Sequence, residues 1–248
     1  MRPHCVALMT AFVLTVGSPI AAQDPFGDIS DLKLLKPEDK VDVPTTPTPK
    51  GAILLLDGKS LDNWTGRNGK DPANWKLLDG GVVEVKSPTA DIITKQQFDG
   101  KFKLHVEFRI PYQPKAMGQR RGNSGVYLQG RYEIQVLDSY GAKVRQKDDC
   151  GAIYSIAAPS ENVCKAPTVW QSYDIEYTAP KCDGDKKVMP AVATVYHNGV
   201  KIHDNVPITT DNTLRGLGGD PCSAGPILLQ ENGCPVQFRN IWLLAMKE

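Results

Sequence analysis

The chain has 248 residues, a formal net charge of +1 and 23% charged residues, and this length fits one sizeable globular domain with extensions. Because the charge is nearly balanced and Lys and Arg form no run, the sequence lacks the electrostatic footprint of a protein that binds nucleic acid or an anionic membrane. We therefore expect neither partner.

The first 22 residues are typical of a secretory signal peptide. Arg2 precedes an apolar run at residues 5–16, and small residues follow at 17–22, where a peptidase would cut. A membrane anchor is the alternative, but the run is about a dozen residues long and a bilayer span needs about 20. The pattern predicts cleavage after Ala22, a secreted or periplasmic location and no membrane contact afterwards.

Residues 23–50 are polar and rich in proline and threonine. They hold too few apolar residues to build a core of their own, and Ser30 and Asp31 could cap at most a short helix at residues 29–35. The composition predicts a tether that ends at Lys50 and places the folded domain at residues 51–248.

Export would place the cysteines in an oxidising compartment, where thiols pair. Cysteines lie at positions 150, 164, 182, 222 and 234 after the signal, an odd number that leaves one without an intramolecular partner. None has the Cys-x-x-Cys or Cys/His spacing of a zinc site, so disulfides that staple loops are favoured over metal binding. Cys150–Cys164 and Cys182–Cys222 are plausible pairs, although spacing alone does not fix the connectivity.

Beyond the tether, short runs of β-branched and aromatic residues alternate with Gly, Pro, Asn and Asp. At residues 102–110 apolar and polar side chains alternate strictly, as in a strand with one buried and one wet face. Asn198-Gly199, between two such runs, predicts a two-residue hairpin. About a dozen strands without crossover helices predict an all-β, antiparallel two-sheet sandwich of the jelly-roll kind. Similar alternation recurs at residues 132–136, 173–177 and 236–242.

Two of these strands have polar faces. Alternation places His105, Glu107 and Arg109 together on one strand, and Glu133 and Gln135 together on another. Such groups offer the directional donors and acceptors that sugar hydroxyls need, so the faces could bind carbohydrate. The alternative is that the charges only keep a sheet face solvated, and composition by itself favours this.

Glu133 and Asp138 could form an acid and base pair. Their odd spacing puts them on opposite faces of a regular strand unless a bulge intervenes. We therefore predict that Glu133 is the functional carboxylate and that Asp138 is a turn residue or a metal ligand. The sequence has no Ser-His-Asp order, Gly-x-Ser-x-Gly elbow, phosphate loop or His-Glu-x-x-His motif, which argues against serine-hydrolase and nucleotide chemistry.

Several short motifs between residues 52 and 247 occur in a recognisable order and spacing. The motifs are residues 55–64, Trp75 ahead of Asp79-Gly80, and residues 104–109, 123–127, 132–138, 151–154, 170–174 and 238–241. Each is weak alone, but together they resemble the 3-keto-disaccharide hydrolase domain family, whose members are exported bacterial proteins with a concanavalin A-like jelly roll.

The resemblance implies a substrate whose sugar C3 hydroxyl has already been oxidised to a ketone. The ketone acidifies the C2 hydrogen, so a base can remove it, the glycosidic oxygen leaves by elimination, and water adds to the enone. This chemistry needs a base, a group that polarises the ketone and an acid. We expect Glu133 as the base and Arg109 with His105 or Glu107 as the other groups, unless a divalent cation polarises the ketone. Polar residues in or beside the motifs are expected to bind the oxidised glycoside: Asn123, Gln135, Arg131, Gln230, Glu231, Asn232 and Arg239.

One position departs from the family pattern. Members typically read Leu-Gln-Asp-His-Gly before the last strand, whereas residues 229–233 of this chain read Leu-Gln-Glu-Asn-Gly. Asn232 cannot titrate in place of that histidine. The sequence therefore leaves two functions open, a glycoside-cleaving hydrolase or lyase and a non-catalytic carbohydrate-binding sandwich, since this fold serves both.

Overall fold

The computed structural model describes residues 26–143 and 145–247. The predicted signal peptide, residues 1–22, lies outside the described residues. Two short 3₁₀ helices, Pro37–Lys40 and Gly118–Arg120, accompany the strands, and no helix within the described ranges is long and apolar enough to cross a membrane. The strands are β1 Ile53–Leu56, β2 Trp64–Gly66, β3 Lys76–Leu78, β4 Val82–Glu84, β5 Ile92–Thr94, β6 Lys101–Arg109, β7 Ser124–Leu128, β8 Tyr132–Val136, β9 Gln171–Thr178, β10 Lys181–Asp183, β11 Lys186–Met189, β12 Ala191–His197, β13 Val200–Ile208, β14 Leu228–Leu229 and β15 Gln237–Ala245.

Two antiparallel sheets form the sandwich. The larger sheet has eight strands in the order β13-β12-β9-β6-β15-β4-β3, with β1 also paired to β15. The smaller sheet has five strands in the order β2-β5-β14-β7-β8. Strands β10 and β11 form a separate hairpin. The prediction of an all-β, antiparallel two-sheet sandwich of the concanavalin A-like jelly-roll kind is confirmed.

The core lies between the two sheets, where the alternating strands bury one side. In β6, Phe102, Leu104 and Phe108 are at most 1% exposed, and they belong to one apolar cluster with the inward side chains of the smaller sheet. Tyr132 of β8 and Tyr177 of β9 meet across the sheets, with ring centroids 6.2 Å apart. Each fully buried side chain of this kind contributes about 1.5–3 kcal/mol. The outward side chains of the same strands remain available for polar sites.

The predicted hairpin at Asn198-Gly199 is confirmed. The two residues join β12 to β13, and His197 pairs with Val200 across the turn. Their φ angles, 53° and 80°, lie in the left-handed region that a type I′ turn requires at both central positions.

Residues 26–50 lie along the sandwich. Phe26 is 5% exposed, the backbone N–H of Val43 donates to the carbonyl oxygen of Trp170 at 3.0 Å, and the N–H of Thr46 donates to the Glu107 carboxylate at 3.1 Å. Polar contacts with the larger sheet thus replace the apolar residues that this segment lacks. The predicted tether is, in its described part, a packed extension of the domain and not a free linker.

A short helix at residues 29–35 does not form. One turn is present there, in which the Leu32 N–H donates to the Ile29 carbonyl oxygen at 3.0 Å. The 3₁₀ helix begins later, at Pro37, where the fixed φ of proline suits the first helical turn.

Cys182 and Cys222 form a disulfide with a Cα–Cα distance of 5.9 Å and a sequence separation of 40, which confirms one of the two predicted pairs. Closing a loop of this length restricts the unfolded chain and stabilises the fold by about 3–4 kcal/mol. The other predicted pair is not formed. Cys150 and Cys164 are buried free thiols. Cys234 is also free and buried.

Candidate functional site

A polar cavity lies on the outward face of the smaller sheet. Its volume is about 180 Å³. Strand β8 supplies part of its floor by alternation, since Ile134 and Val136 belong to the apolar core and Glu133 and Gln135 point the other way. The lining residues are Gln119, Asn123, Glu133, Gln135, Tyr154, Leu214, Arg215, Gln230 and Asn232.

Glu133 brings a buried carboxyl group to this cavity, and its residue is only 3% exposed. Burial raises the pKa of Glu133 from 4.5 to about 8, although the Tyr127 hydroxyl and the Arg215 guanidinium oppose the rise. The charge of Asp91 adds to it. A carboxyl group that exchanges its proton near neutral pH suits general acid–base chemistry.

Gly125 makes room for this carboxyl group. It lies on β7 opposite Gln135. A β-carbon at position 125 would stand 2.9 Å from a ring carbon of Tyr127 and 3.0 Å from the Glu133 Cδ atom, so these side chains would have to shift. Glycine therefore leaves the space that the carboxyl group occupies, as is common where another group approaches a strand backbone closely.

Three amide side chains that line the cavity have side-chain oxygen atoms without a hydrogen-bond partner. The Asn123 Nδ2 group donates to the Gln119 carbonyl oxygen at 2.7 Å, the Gln135 Nε2 group donates to Gln119 Oε1 at 3.0 Å, and the Gln230 Nε2 group donates to the Tyr127 hydroxyl at 2.8 Å. These bonds fix the amide orientations. Asn123 Oδ1, Gln135 Oε1 and Gln230 Oε1 are consequently buried without a hydrogen-bond partner. Such acceptors suit the hydroxyl groups of a sugar or, together with a carboxylate, a hard divalent cation.

A loop that carries the positively charged side chain of Arg215 forms one wall of the cavity. Arg215 adopts a φ of 62° in this loop, and its Nη1 donates to Asn232 Oδ1 at 2.8 Å. Arg67 holds the loop, because it pairs with the Asp91 carboxylate and donates to the Arg215 carbonyl oxygen at 2.8 Å. Asp91 also accepts the backbone N–H of Glu231 at 2.8 Å. The network fixes the Arg215 guanidinium at the cavity wall.

Two further cavities adjoin the first. One of about 360 Å³ shares Arg215 with it and is also lined by Glu231. The largest, about 880 Å³, shares Arg67 and Thr89 with the second. The largest cavity therefore lies beside the buried carboxyl group and not around it, and the three together have room for a ligand longer than one sugar ring.

The structure brings five of the predicted site residues together in the first cavity, and places Glu231 in the adjoining one. Four of the five supply neutral amides, and the fifth supplies the carboxyl group. They are Asn123, Glu133, Gln135, Gln230 and Asn232.

His105, Glu107 and Arg109 do not join them. They lie on the outward side of β6 in the larger sheet, whereas Glu133 lies on the outward side of β8 in the smaller sheet, with the core between. The expectation of one shared site is corrected on this ground, since the polar faces of opposite sheets point away from each other. His105 is fully buried there, stacked on Trp242 with ring centroids 4.9 Å apart.

Glu107 is the centre of a hydrogen-bond network that fastens residues 26–50 to the sheet. Its carboxylate accepts from Arg239 Nε at 2.6 Å and from Asn240 Nδ2 at 2.7 Å. Burial by itself would raise its pKa, but hydrogen bonds from His105, Asn240 and Arg239 lower the pKa to about 2. Arg239 also lies over the Trp170 ring at 4.1 Å. Predicted as a substrate-binding residue, Arg239 is here part of the anchor.

Arg131 and Asp138 are also engaged by the protein itself. Arg131 Nη2 donates to the Asp220 carbonyl oxygen at 2.6 Å and thereby holds the loop that carries Cys222. Asp138 accepts the Tyr140 N–H at 3.2 Å and pairs with Arg121 at 3.1 Å. The contact with Tyr140 supports the turn interpretation of Asp138, and the ion pair accounts for its charge without a metal.

The sequence patterns did not identify four residues that belong to the site: Arg215, Tyr127, Tyr154 and Gln119. Tyr127 could have been found, because β7 alternates like β8 and Tyr127 pairs with Glu133. Arg215 lies in a glycine-rich loop with no periodic signal, so only the folded chain reveals its place.

The model of the 3-keto-alpha-glucoside-1,2-lyase-like domain family matches residues 51–244. Among solved structures, a protein of Parabacteroides distasonis ATCC 8503, provisionally assigned as a glycosyl hydrolase, is 37% identical with a TM-score of 0.72. The match covers 80% of this chain and 85% of that one.

Two more proteins of the same organism, with the same provisional assignment, share the fold. One is 20% identical with a TM-score of 0.59 and covers 86% of this chain and 99% of its own. The other is 22% identical with a TM-score of 0.54 and covers 79% and 99%. No curated protein matches the chain.

Proposed function

The chain belongs to the 3-keto-alpha-glucoside-1,2-lyase-like domain family, and on this premise we propose that it cleaves 3-keto-glycosides at the polar cavity of the smaller sheet. Membership of the family indicates a carbohydrate-active hydrolase or lyase. The finer proposal concerns the oxidised substrate and the residues that act on it.

The proposed reaction has two stages. A base takes the proton from C2, the C2–H electron pair forms the C1–C2 double bond, and the C1–O bond breaks so that the glycosidic oxygen leaves with a proton as an alcohol. Water then adds across the enone, with hydroxyl at C1 and a proton at C2. The ketone at C3 is what makes the C2 proton removable, so an unoxidised glycoside would be inert.

The single observation that carries the proposal is the buried carboxyl group of Glu133, whose pKa is raised to about 8. A carboxylate with this basicity accepts a proton from carbon far better than an ordinary surface glutamate. The group can also return the proton in the hydration stage, since its neutral form is populated near neutral pH.

Arg215 and the amide oxygens supply the remaining functions. The Arg215 charge acts on Glu133, and the same guanidinium lines the adjoining cavity, so it is placed to stabilise negative charge that develops on a ketone oxygen. The unpartnered oxygens of Asn123, Gln135 and Gln230 accept hydrogen bonds from sugar hydroxyls and orient the ring. A divalent cation held by these oxygens would polarise the ketone and leave Glu133 free to act as the base.

Glu133→Gln tests the proposal, because glutamine keeps the shape of the side chain and removes its basicity. We expect cleavage of a 3-keto-disaccharide to slow by a factor of about 10² to 10⁴, the usual contribution of a general base. Sugar affinity and the thermal midpoint should be retained. Glu176→Gln, on the larger sheet, is the matched control and should cleave at the wild-type rate. Equal rates for Glu133→Gln and wild type would show that Glu133 is not the base.

A carbohydrate-binding function without cleavage is the second candidate. Asn232 favours it, because the residue bonded to Arg215 at the cavity wall cannot donate a proton in the way a histidine would. The two candidates separate in the same experiment. Sugar binding by wild type and by Glu133→Gln, with no cleavage by either, would identify a binding module.

We further propose that the protein works outside the cytoplasm. The signal-like residues 1–22 motivate the proposal, and the Cys182–Cys222 disulfide supports it, since such bonds persist in oxidising compartments. Fractionation of the cells that make the protein, followed by sequencing of the mature amino terminus, tests both the location and the cleavage after Ala22.

A further inference from the structure

A second cluster of reactive side chains lies outside the residues that line the cavities. Cys150, Cys164 and His197 are all buried, and one ligand atom from each lies within 4.8 Å of the other two. Cys150 and Cys164 both lie in the connection between β8 and β9, and His197 is the last residue of β12. Two segments of the chain therefore bring sulfur and nitrogen donors to one point.

The tautomer of His197 follows from its neighbours. Gln171 Oε1 accepts the backbone N–H of Lys165 at 2.8 Å, which fixes that atom as the amide oxygen. His197 Nε2 lies 3.1 Å from the same oxygen, so Nε2 must carry the proton and donate it. The ring is buried and its hydrogen-bond partner is a neutral amide oxygen, so it is neutral. Nδ1 is then the nitrogen with a free lone pair.

This arrangement is the one that metal-binding histidines adopt. One ring nitrogen is held by a hydrogen bond to a protein oxygen, which fixes the ring, and the other nitrogen binds the ion. A neutral imidazole also needs no proton removed before it binds. Nδ1 of His197 lies near Gly151, the residue that follows Cys150.

The two sulfur atoms complete a soft ligand set. Cys150 Sγ lies 3.1 Å from the Tyr173 hydroxyl, and that hydroxyl donates its proton to the Gln135 carbonyl oxygen at 2.7 Å. Because Tyr173 donates its proton to Gln135, the Cys150 thiol donates to the Tyr173 oxygen. A bound ion would replace this thiol proton, since the thiolate is the form that a metal binds. Ligand atoms within 4.8 Å of one another suit an ion whose bonds to sulfur are about 2.3 Å and to nitrogen about 2.0 Å.

We propose that Cys150, Cys164 and His197 bind a thiophilic closed-shell cation, Zn²⁺ or Cu⁺. Both ions bind thiolate and imidazole donors well, whereas Ca²⁺ and Mg²⁺ prefer oxygen donors. Binding releases the two thiol protons to solvent, and the Nε2 proton of His197 stays on its ring in the hydrogen bond to Gln171 Oε1. No oxidation or reduction is involved.

The site would stabilise one side of the sugar cavity. The loop that carries Cys150 also contains Asp148, whose carbonyl oxygen accepts the amide groups of Gln119 and Gln135 at 2.9 and 3.3 Å. An ion at Cys150 would tie this loop to β12 of the larger sheet. The inference does not depend on the proposed cleavage reaction, since a carbohydrate-binding module would be braced in the same way.

The test begins with the metal content of the mature wild-type protein, reduced and dialysed against Zn²⁺ or, under anaerobic conditions, Cu⁺, and measured by plasma mass spectrometry. We expect one equivalent of one of these ions per chain. The dialysis experiment in which the protein retains that equivalent identifies the cation. Cys164→Ser should lose the bound ion, whereas Cys234→Ser, which changes another buried free thiol, should keep it. Replacement by Co²⁺ should add the charge-transfer absorption of a cobalt–thiolate bond.

Alkylation of the wild-type protein provides a readout that does not depend on a folded variant. In a partly denaturing urea concentration that lets reagent reach the buried thiols, Cys150 and Cys164 should be alkylated more slowly with the ion bound than after a chelator is added without any reductant. A Cys150–Cys164 disulfide peptide in the unreduced protein as isolated would overturn the proposal, and so would reduced wild type that retains neither ion. Equal metal content in wild type and Cys164→Ser would also contradict it.

Discussion

The carboxyl group of Glu133 on β8 lies over the backbone of Gly125 on β7, in the space that a side chain at position 125 would occupy. Gly125→Ala would therefore push the carboxyl group away from its place beside Tyr127. A displacement of about 1 Å can cost about 10² in rate, and the crowding should lower stability by about 1–3 kcal/mol. Cleavage kinetics and denaturant unfolding of the variant measure the two effects.

Gly199→Ala is the matched control for that substitution. Its φ of 80° is in the left-handed region, so alanine there is strained and should also cost about 1 kcal/mol. The hairpin turn contributes nothing to the cavity, and the rate per folded molecule should equal that of wild type. A Gly125→Ala variant that cleaves as fast as this control would contradict the spatial role of Gly125.

The pH dependence of cleavage should follow the ionisation of Glu133. Since the base must be deprotonated and burial raises its pKa to about 8, kcat/KM should rise with pH and level off above about pH 8. Arg215 lowers this pKa, so Arg215→Met should move the rise to higher pH as well as reduce the rate, whereas Arg145→Met, at an exposed position, should leave the profile unchanged. A wild-type profile that is flat through the neutral range would exclude Glu133 as the base.

The alternation of polar and apolar residues predicts most of the fold. It identifies β6, β8, β9 and β15 because each of them has one side in the core, and the Asn198-Gly199 turn is set by local backbone geometry. The packing of residues 26–50 is not predictable in this way. Their contacts with Glu107 and Trp170 are polar and join positions far apart in the chain.

The candidate site is predictable in part for a related reason. Alternation assigns Glu133 and Gln135 correctly to one face, but it cannot tell which of two polar faces carries the site. His105 and Glu107 are equally polar in the sequence and lie on the other sheet. Arg215 comes from a loop whose position depends on Arg67 and Asp91, and a pattern within one strand contains no such information.

Glu107→Gln should destabilise the protein and leave cleavage intact. The variant loses the charge that Arg239 and Asn240 bind, which should lower the free energy of unfolding by about 2–4 kcal/mol at neutral pH. The pKa of Glu107 is lowered in the folded state from 4.5 to about 2, so the stabilisation is present above pH 4.5 and is lost as pH falls toward 2. The difference in the free energy of unfolding between wild type and variant should therefore shrink as the pH falls from 4.5 toward 2.

Urea unfolding at several pH values measures this difference, and Asp204→Asn serves as the control, because its pair with Lys201 is exposed and should contribute less than about 1 kcal/mol. A Glu107→Gln variant that is as stable as wild type at neutral pH would contradict the anchor role. Loss of cleavage in folded Glu107→Gln would instead return this residue to the catalytic candidates.

Asn232→His should increase the rate of cleavage. Asn232 lines the cavity with Glu133, and its Oδ1 accepts a hydrogen bond from Arg215 at 2.8 Å. A histidine there would place a titratable donor where a leaving glycosidic oxygen can take a proton, and a general acid contributes up to about 10² to 10⁴ in rate. The variant should also acquire a falling limb of kcat/KM at high pH, because the imidazole must be protonated to act as an acid.

Asn232→Gln is the matched control, which retains the amide and should show neither change. The rates and pH profiles of the three proteins on one 3-keto-disaccharide decide the matter. If Asn232→His is no faster than Asn232→Gln, position 232 does not supply the acid, and the departure from the family pattern leaves the chemistry of the cavity unaffected.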